Sequence, residues 1–501
     1  MSWGKDADIC LILEGTYPYV TGGVSGWTHD LIRNQPHLKF ALISLLPRDE
    51  EEPELKYELP ENVVSLERLY LQKLPMGKTL LPRESHNLFS QIDDVLQTIT
   101  TDQATLADFE KIVDTFNPYV NSLGQATLLD SEQAFTLMSE MYERDFAESS
   151  FLDYFWSWRA VLAGLFSLVE FELPKAGLYH AVSTGYAGLL AARAKLETGK
   201  PTIITEHGIY TNERRIEIAT AEWLTEGTSK ALTISQTRID LRDLWTSAFV
   251  NYSRIAYEAA DEIITLFADN QRAQMTDGAN PDKLSVIPNG IDLERYAVLP
   301  RQPHDRPTVA LIGRVVPVKD IKAFIRAVSI LKERMGDIEA YIIGPDDEDK
   351  HYAAECRHMV EHLGLQDNLL FTGRVDITQY LPRIDLIAFS SISEAQPLVV
   401  LEVGASGIPV VSTDVGACRE MLLGSKQEEP PLGEGGIVVP PANPTALANA
   451  MYDLLTDKAR YAAASTAIKA RVATYYDKKD QHAAYRDLYH NYLNKKLEGA
   501  A

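Results

Sequence analysis

Residues 308–320 read TVALIGRVVPVKD. The first five are apolar or β-branched, too few for a stable helix and bounded by Gly313, so they predict a buried strand. A helix-length segment follows through 319–335, and a second apolar run, AYIIG, closes the unit at 340–344. Strand, turn, helix and strand make a βαβ unit, whose strands are parallel because the crossover carries the chain back to its starting edge. The alternation continues toward the C-terminus as a helix at 351–363 and the runs NLLFTG (368–373), DLIAFS (385–390), PVVST (409–413) and GGIVV (435–439). Toward the N-terminus it returns as DICLIL (8–13), KFALISLL (39–46), LYHAVS (178–183), PTIITE (201–206), EIITLF (262–267) and LSVIPNG (284–290). The expected fold class is α/β, with mostly parallel sheets covered by helices on both faces.

At 501 residues the chain exceeds what one hydrophobic core supports, so two domains are expected. The alternation stops at YAVLPRQPHDRP (296–307), where Pro300, Pro303 and Pro307 resist regular structure and predict a hinge. The division is therefore 1–300, 301–475 and a terminal helical piece, 476–501. Between about 80 and 175 strand patterns vanish and apolar residues recur at helical spacing, which predicts a helical insertion in the first domain. The segment 444–497 reads as helical and carries Tyr475, Tyr476, Tyr485, Tyr489 and Tyr492; it either braces the first domain or packs on the second.

With 48 basic against 71 acidic residues and a formal charge of -23, the chain repels nucleic acid and anionic lipid. An anionic ligand would need a local cluster of cations. Cys10, Cys356 and Cys418 are few and unrelated in spacing, which excludes a disulfide framework and a thiolate metal site and fits a reducing cytoplasm. The start MSWGKDADICLILEG reads as a first strand, not a secretory signal. The most apolar long window, 151–173, holds Asp153, Arg159, Glu170 and Glu172, so it predicts a buried helix and no membrane span.

Loops that follow parallel strands lie at the carboxyl edge of the sheet, where open α/β sheets bind ligands. Four such segments carry chemistry. In GRVVPVKD (313–320), Gly313 permits a turn, while Arg314 and Lys319 offer a diphosphate one forked cation and one point charge. In SEAQPLVVLE (393–402), Pro397 suits the first turn of a helix that stops at Gly407. Glu394 then precedes the helix, Glu402 lies inside it, and the free amides near Leu398 and Val399 face any anion there. In EGTYPYVTGGVSGWTHDL (14–31), Gly22, Gly23 and Gly26 allow close backbone approach ahead of a helix, yet the pattern is neither GxGxxG nor a P-loop. In TEHGIY (205–210), His207 can donate to a sugar hydroxyl or carry a proton. Each segment alone also has an ordinary structural use: solvated cations, acids flanking a helix, a glycine turn without ligand, a satisfied histidine. No HExxH or clustered His, Asp and Glu set predicts a metal.

Together these segments resemble the glycogen-synthase-like retaining glycosyltransferases of glycosyltransferase family 4. The shared places run in chain order: GGVSG (22–26), EHG (206–208), PNGID (288–292), Gly313-Arg314 with Lys319, TGRV (372–375) and the pair Glu394 and Glu402. The resemblance implies a GT-B fold, two Rossmann-like domains facing a cleft. It implies a UDP-sugar donor (UDP-glucose or a UDP-N-acetylhexosamine), a carbohydrate acceptor, and no cofactor or metal. It further implies that Glu402 binds the ribose, Arg314 and Lys319 the diphosphate, the amides near Gly22, Gly23, Leu398 and Val399 the phosphates, and Arg374 and Val375 the base. Glu394 and His207 would hold the transferred sugar. Family members often have Gly at the place of Pro397, so one amide donor is expected to be missing. The helical insertion and the form EAQPLVVLE point to the branch that makes Pel-type exopolysaccharide, a cytoplasmic enzyme recruited to an inner-membrane polymerising complex. Two alternatives share these residues: a UDP-sugar 2-epimerase, and a non-catalytic UDP-sugar-binding subunit.

Overall fold

The computed structural model describes residues 6–47, 53–101, 103–220, 241–297, 299–426 and 428–498. Residues 1–5 of the expected first segment and Val298 of the expected hinge lie outside them. The chain divides into two compact units, Met1–Val286 with Tyr485–Ala501, and Ile287–Ala484.

Among the described residues the first unit is built on seven strands: β1 (Ala7–Glu14), β2 (Phe40–Leu46), β3 (Val63–Tyr70), β4 (Ala176–Val182), β5 (Thr202–Glu206), β6 (Glu262–Thr265) and β7 (Leu284–Val286). Their order is β3-β2-β1-β4-β5-β6-β7, and every pairing is parallel. The inner strands are dry: β2 is buried throughout, and its neighbour β1 buries Ile9 to Leu13. That is why both read as unbroken apolar runs. Strand β3, VVSLERLY, did not stand out in the sequence because Glu67 and Arg68 interrupt it. As an edge strand it is only half-buried over most of its length. Among the described residues, five α-helices lie in the interval between β3 and β4, from Pro82 to Glu170, where the sequence predicts the insertion. The helix Phe151–Glu170, expected to be buried, is continuously so only from Val161 onward; before that Tyr154, Ser157 and Trp158 are buried while Leu152 is 62% and Trp156 61% exposed.

The second unit repeats the plan with β8 (Thr308–Ile312), β9 (Glu339–Ile343), β10 (Leu369–Gly373), β11 (Leu386–Phe389), β12 (Val410–Thr413) and β13 (Gly436–Val439). Their order, β10-β9-β8-β11-β12-β13, is again parallel throughout. In both sheets the strand order reverses beside the first strand, at β1/β4 and at β8/β11. Such switch points open a crevice at the carboxyl ends of the strands.

The division between units falls earlier than the prolines suggest. Ile291 N donates to Tyr476 O (3.0 Å), Lys478 N donates to Ile291 O (3.0 Å), and Gly290 lies so close to Lys478 that a Cβ there would sit 2.6 Å from its backbone. PNGID is therefore anchored to the second unit before the proline stretch begins. The terminal helix likewise starts at Lys478, and its residues from Tyr485 on, not from 476, belong to the first unit. There Tyr489 Oη lies 2.6 Å from His180 Nδ1, and Tyr485 Oη 3.1 Å from Thr205 Oγ1, with both tyrosines fully buried.

Candidate active site

In the second unit, β8 is followed directly by Gly313, whose amide donates to Ile343 O of β9 (2.9 Å). Gly344 continues β9 at φ +151, and a Cβ on it would lie 2.0 Å from Gly313 O. The two strand ends are thus in backbone contact, which only glycine at 344 permits. After Gly313 the chain makes a short 3-10 turn, Pro317–Lys319, and Asp320 adopts φ +43 before the helix Ile321–Met335. The Asp320 carboxylate caps that helix by accepting from Ala323 N (3.2 Å). The helix begins two residues later than the spacing predicts, which leaves Lys319 on the turn.

The loop after β11 is tied to this turn. Ser390 Oγ donates to Lys319 O (2.9 Å) and Ile392 N to Val318 O (2.8 Å). These bonds bring Lys319 Nζ onto the Glu394 carboxylate, an ion pair whose side chains are 18% and 11% exposed. Gly416, at φ +51, supports the same loop from below: a Cβ there would meet the carbonyl oxygens of Glu394 and Ala395 at 2.2 Å. The apolar run after Glu394 is the helix Leu398–Ala405, capped by Pro397 rather than containing it, and Gly407 ends it at φ +72. Pro397 so placed leaves the amides of Leu398 and Val399 at the free end of the helix.

Glu402 lies within that helix. Its Oε1 accepts from Tyr296 Oη (2.9 Å), and burial raises its pKa against the opposing effects of this bond and of Arg295. Gln396 Oε1 accepts from Asn289 N of PNGID (2.7 Å), while its Nε2 is buried without a partner. Arg314 is half exposed, and its Nη1 donates to both carboxylate oxygens of Glu348 (2.6 and 2.7 Å). The sequence leads one to expect a cluster of positive charge here. The structure corrects this: each of the two cations has a carboxylate partner, and for Arg314 the partner comes from the loop after β9. Arg374 is exposed and Val375 half-buried at the end of β10, two strands from the switch point. Arg314, Lys319, Glu394, Leu398, Val399 and Arg374 thus share one sheet edge.

At the first unit's edge, the switch point is occupied. Glu14, at the end of β1, accepts from Tyr186 N (3.1 Å) and Ala187 N (3.3 Å) at the start of the helix Gly185–Thr198, and from Tyr210 Oη (2.9 Å). A carboxylate of the chain itself thus occupies the N-terminus of the helix that follows β4. Gly22 precedes the helix Gly23–Arg33, so Gly23 and Gly26 are its first turn, not part of a loop. A Cβ on Gly22, Gly23 or Gly26 would meet nothing within 4 Å, so this face is open.

His207 follows β5 directly. Its Nε2 is buried without a hydrogen-bond partner, Trp27 packs edge-on against the ring (4.7 Å between centroids), and burial lowers its pKa to about 4. A neutral imidazole with an uncommitted nitrogen can exchange a hydrogen bond with a hydroxyl but carries no charge. Ser183, just past β4, has φ +130 and an Oγ that is also buried and unpartnered. Sequence reasoning missed Glu14, Trp27, Ser183, Tyr296 and Gln396. Glu14, Trp27 and Gln396 stood inside the motifs that drew attention, but none has a residue type that betrays a role without its neighbours.

Among the described residues no group of three or more His, Cys, Asp or Glu could hold a metal ion, and no helix is long and apolar enough to cross a membrane.

Residues 7–282 match the family described as "Domain of unknown function (DUF3492)". The chain belongs to that family. In this DUF3492 protein, residues 306–457 of the second unit also match the family described as "Glycosyl transferases group 1". A D-inositol 3-phosphate glycosyltransferase of Kineococcus radiotolerans is 30% identical over 236 residues, 43% of this chain and 53% of that protein. The lipopolysaccharide core biosynthesis mannosyltransferase LpsB of Rhizobium meliloti is 27% identical over 255 residues, 47% of this chain and 68% of the relative. The chain thus spans about half the length of the first of these relatives. The crystal structure of Anabaena HepE in complex with UDP superposes with a TM-score of 0.58 at 16% identity, covering 96% of this chain and 99% of the other. Sucrose-phosphate synthase from Thermosynechococcus elongatus gives 0.57 at 16% identity, over 98% and 100%. The fold of the DUF3492 protein is therefore GT-B, two Rossmann-like α/β units of which the first carries a helical insertion.

Proposed function

We propose that the protein is a glycosyltransferase that moves a hexosyl group from a UDP-sugar to an acceptor hydroxyl, with retention of the anomeric configuration. The observation that carries this reading is the ion pair of Lys319 and Glu394 at the β8/β11 switch point, beside the free amides of Leu398 and Val399. There Lys319 and Arg314 stabilise the departing diphosphate, whose charge grows in the transition state. Glu394 accepts from hydroxyls of the sugar, Glu402 from the ribose, and Arg374 and Val375 border the base. Arg314 is free to change partner, because an exposed ion pair such as that with Glu348 contributes only about 0–1 kcal/mol. At the other unit's sheet edge, His207 offers its uncommitted Nε2 to a sugar hydroxyl, and the open face at Gly22 and Gly23 admits a ligand to the backbone.

With retention, the pair favours a front-face route: Glu394, paired with Lys319, is a poor nucleophile, and the leaving phosphate takes the acceptor's proton. A covalent glycosyl adduct isolated on Glu394 would refute this. Since the cations of the chain meet the diphosphate, no divalent metal is required.

The helical insertion, the opening ICLILEGTYPYVTGGVSGWTHDLI and the form EAQPLVVLE resemble PelF, the cytoplasmic glycosyltransferase of bacterial Pel exopolysaccharide synthesis. On that reading the protein works in the cytoplasm beside an inner-membrane polymerising complex. The names of its relatives, glycosyltransferases and mannosyltransferases, support sugar transfer without choosing the base or the sugar. The test is a panel of UDP-glucose, UDP-GlcNAc, UDP-GalNAc and GDP-mannose, with and without carbohydrate acceptors. Acceptor-dependent release of UDP supports transfer. Interconversion of the donor without acceptor would mean a UDP-sugar 2-epimerase, and UDP binding without turnover a non-catalytic subunit.

A further inference from the structure

Away from the strand ends discussed above, the helical insertion and the segment after β3 line a half-open cavity of about 310 Å³, at the small end of small-molecule pockets. Leu69, Leu74, Pro75 and Phe171 give it apolar walls. Glu170, the last residue of the helix Phe151–Glu170, also lines it. This residue is 5% exposed, yet neither Oε1 nor Oε2 has a hydrogen-bond partner. An unmatched buried carboxylate is costly, and such groups in native proteins ordinarily have a partner or a function.

Its surroundings explain why the protein itself does not supply the partner. The neighbouring guanidinium of Arg193 is committed to the carbonyls of Leu168 and Phe171 and to Glu197. Amides of Leu123, Ser122 and Asn121 favour the charged carboxylate without reaching hydrogen-bond geometry. Burial outweighs them and Arg193, and pushes the pKa up to about 7. Lys73 and Glu172 complete the charged lining, with Glu67 near Glu172 on β3.

The walls are preformed. Lys78 N donates to Ser122 O (2.8 Å), Gln125 N to Pro75 O (2.8 Å) and Ala126 N to Met76 O (3.0 Å), lacing two loops together. A Cβ on Gly77 would lie 2.3 Å from Gly124 N, and one on Gly124 1.9 Å from Pro75 O. Asn121, which lines the cavity, is held at φ +60. With Glu170 ionised, the lining carries two carboxylates against one lysine, a net charge that a single monocation balances. We propose that this cavity binds a small organic ammonium, whose N–H groups donate to Glu170 while its hydrocarbon part lies against Leu69, Leu74 and Phe171. The site goes beyond the sugar-transfer reading and stands or falls apart from it.

The test uses the full chain and n-butylammonium chloride as probe, with butan-1-ol as its uncharged counterpart, in titration calorimetry at pH 8 and pH 6. Butylammonium is expected to bind at pH 8 and roughly tenfold more weakly at pH 6, where a carboxyl with a pKa near 7 is mostly protonated. Butan-1-ol should not bind. Glu170→Gln should abolish binding, and Lys73→Ala, a change at an exposed side chain, should tighten it. Absence of butylammonium binding at millimolar concentration, equal binding of the alcohol, unchanged binding in Glu170→Gln or weaker binding in Lys73→Ala would each overturn the proposal.

Discussion

Replacing Lys319 by methionine removes a charge while keeping most of the side chain's length. Its partner Glu394 is 11% exposed, so the carboxylate loses its counter-ion in a poorly hydrated place. Two opposite charges about 4 Å apart at an effective dielectric constant near 20 attract by about 4 kcal/mol, and part of that is offset by the water the lone carboxylate regains. A net loss of about 2–3 kcal/mol is expected. For a unit of the size of Ile287–Ala484, each kcal/mol lowers the melting temperature by about 2–4 °C, hence a fall of roughly 4–12 °C. Glu394→Gln should cost less, because lysine can reach water, and the double variant should recover most of the loss, leaving a coupling of about 2 kcal/mol in the cycle. Turnover should behave oppositely. Each single variant is expected to lose roughly 10²-fold or more, and the double variant should not regain it, because charge stabilisation of the diphosphate is gone. Calorimetric melting and UDP release measured on the same four proteins decide the matter. A coupling below about 0.5 kcal/mol would dissolve the structural pair. Turnover within about threefold of the parent in Lys319→Met would remove the diphosphate assignment, whatever the stability shows.

Other expectations can be checked singly. Glu402→Gln should raise the KM for the donor about tenfold with little change in kcat, as loss of a uniform ribose contact does; an equal fall in kcat would contradict that role. His207 and His180 are held neutral, with pKa values lowered to about 4 and about 3 by burial, so the unfolded chain binds more protons than the native one below its own histidine pKa. Stability should therefore be complete above about pH 6.5 and fall as the pH drops toward 4, and His207→Asn should flatten that limb by up to about 1.4 kcal/mol per pH unit in pH-dependent denaturation. Gly344→Ala meets both a φ of +151 and the carbonyl of Gly313, so a loss of at least about 2 kcal/mol and a weaker affinity for UDP are expected. Dialysis against EDTA should leave turnover unchanged; loss of activity restored by magnesium or manganese would show that the cations of the chain do not suffice.

Legibility in the sequence followed the physics of each element. Strands buried on both faces, such as FALISLL and TVALI, announce themselves as unbroken apolar runs, and their boundaries were readable to within a residue or two. Strand β3 was not readable, because a half-buried edge tolerates Glu67 and Arg68 in its centre. Lys319 and Glu394 were each legible as strand-end residues, but their pairing depends on the hydrogen bonds from Ser390 and Ile392, which no spacing encodes. The engagement of Arg314 by Glu348 was hidden for the same reason, since it joins the ends of β8 and β9. Glu14 opens the glycine-rich segment without any pattern that marks it, because its two amide partners lie far along the chain at the start of the helix Gly185–Thr198.

The assignment of Tyr485 and Tyr489 to the first unit bears on how the polypeptide matures during translation. His180 and Thr205 emerge from the ribosome long before the two phenols that complete their hydrogen bonds. Until then the nascent unit keeps an unfilled seam beside β4 and β5, and the ribosome releases the residues that seal it only after the whole second unit has been made.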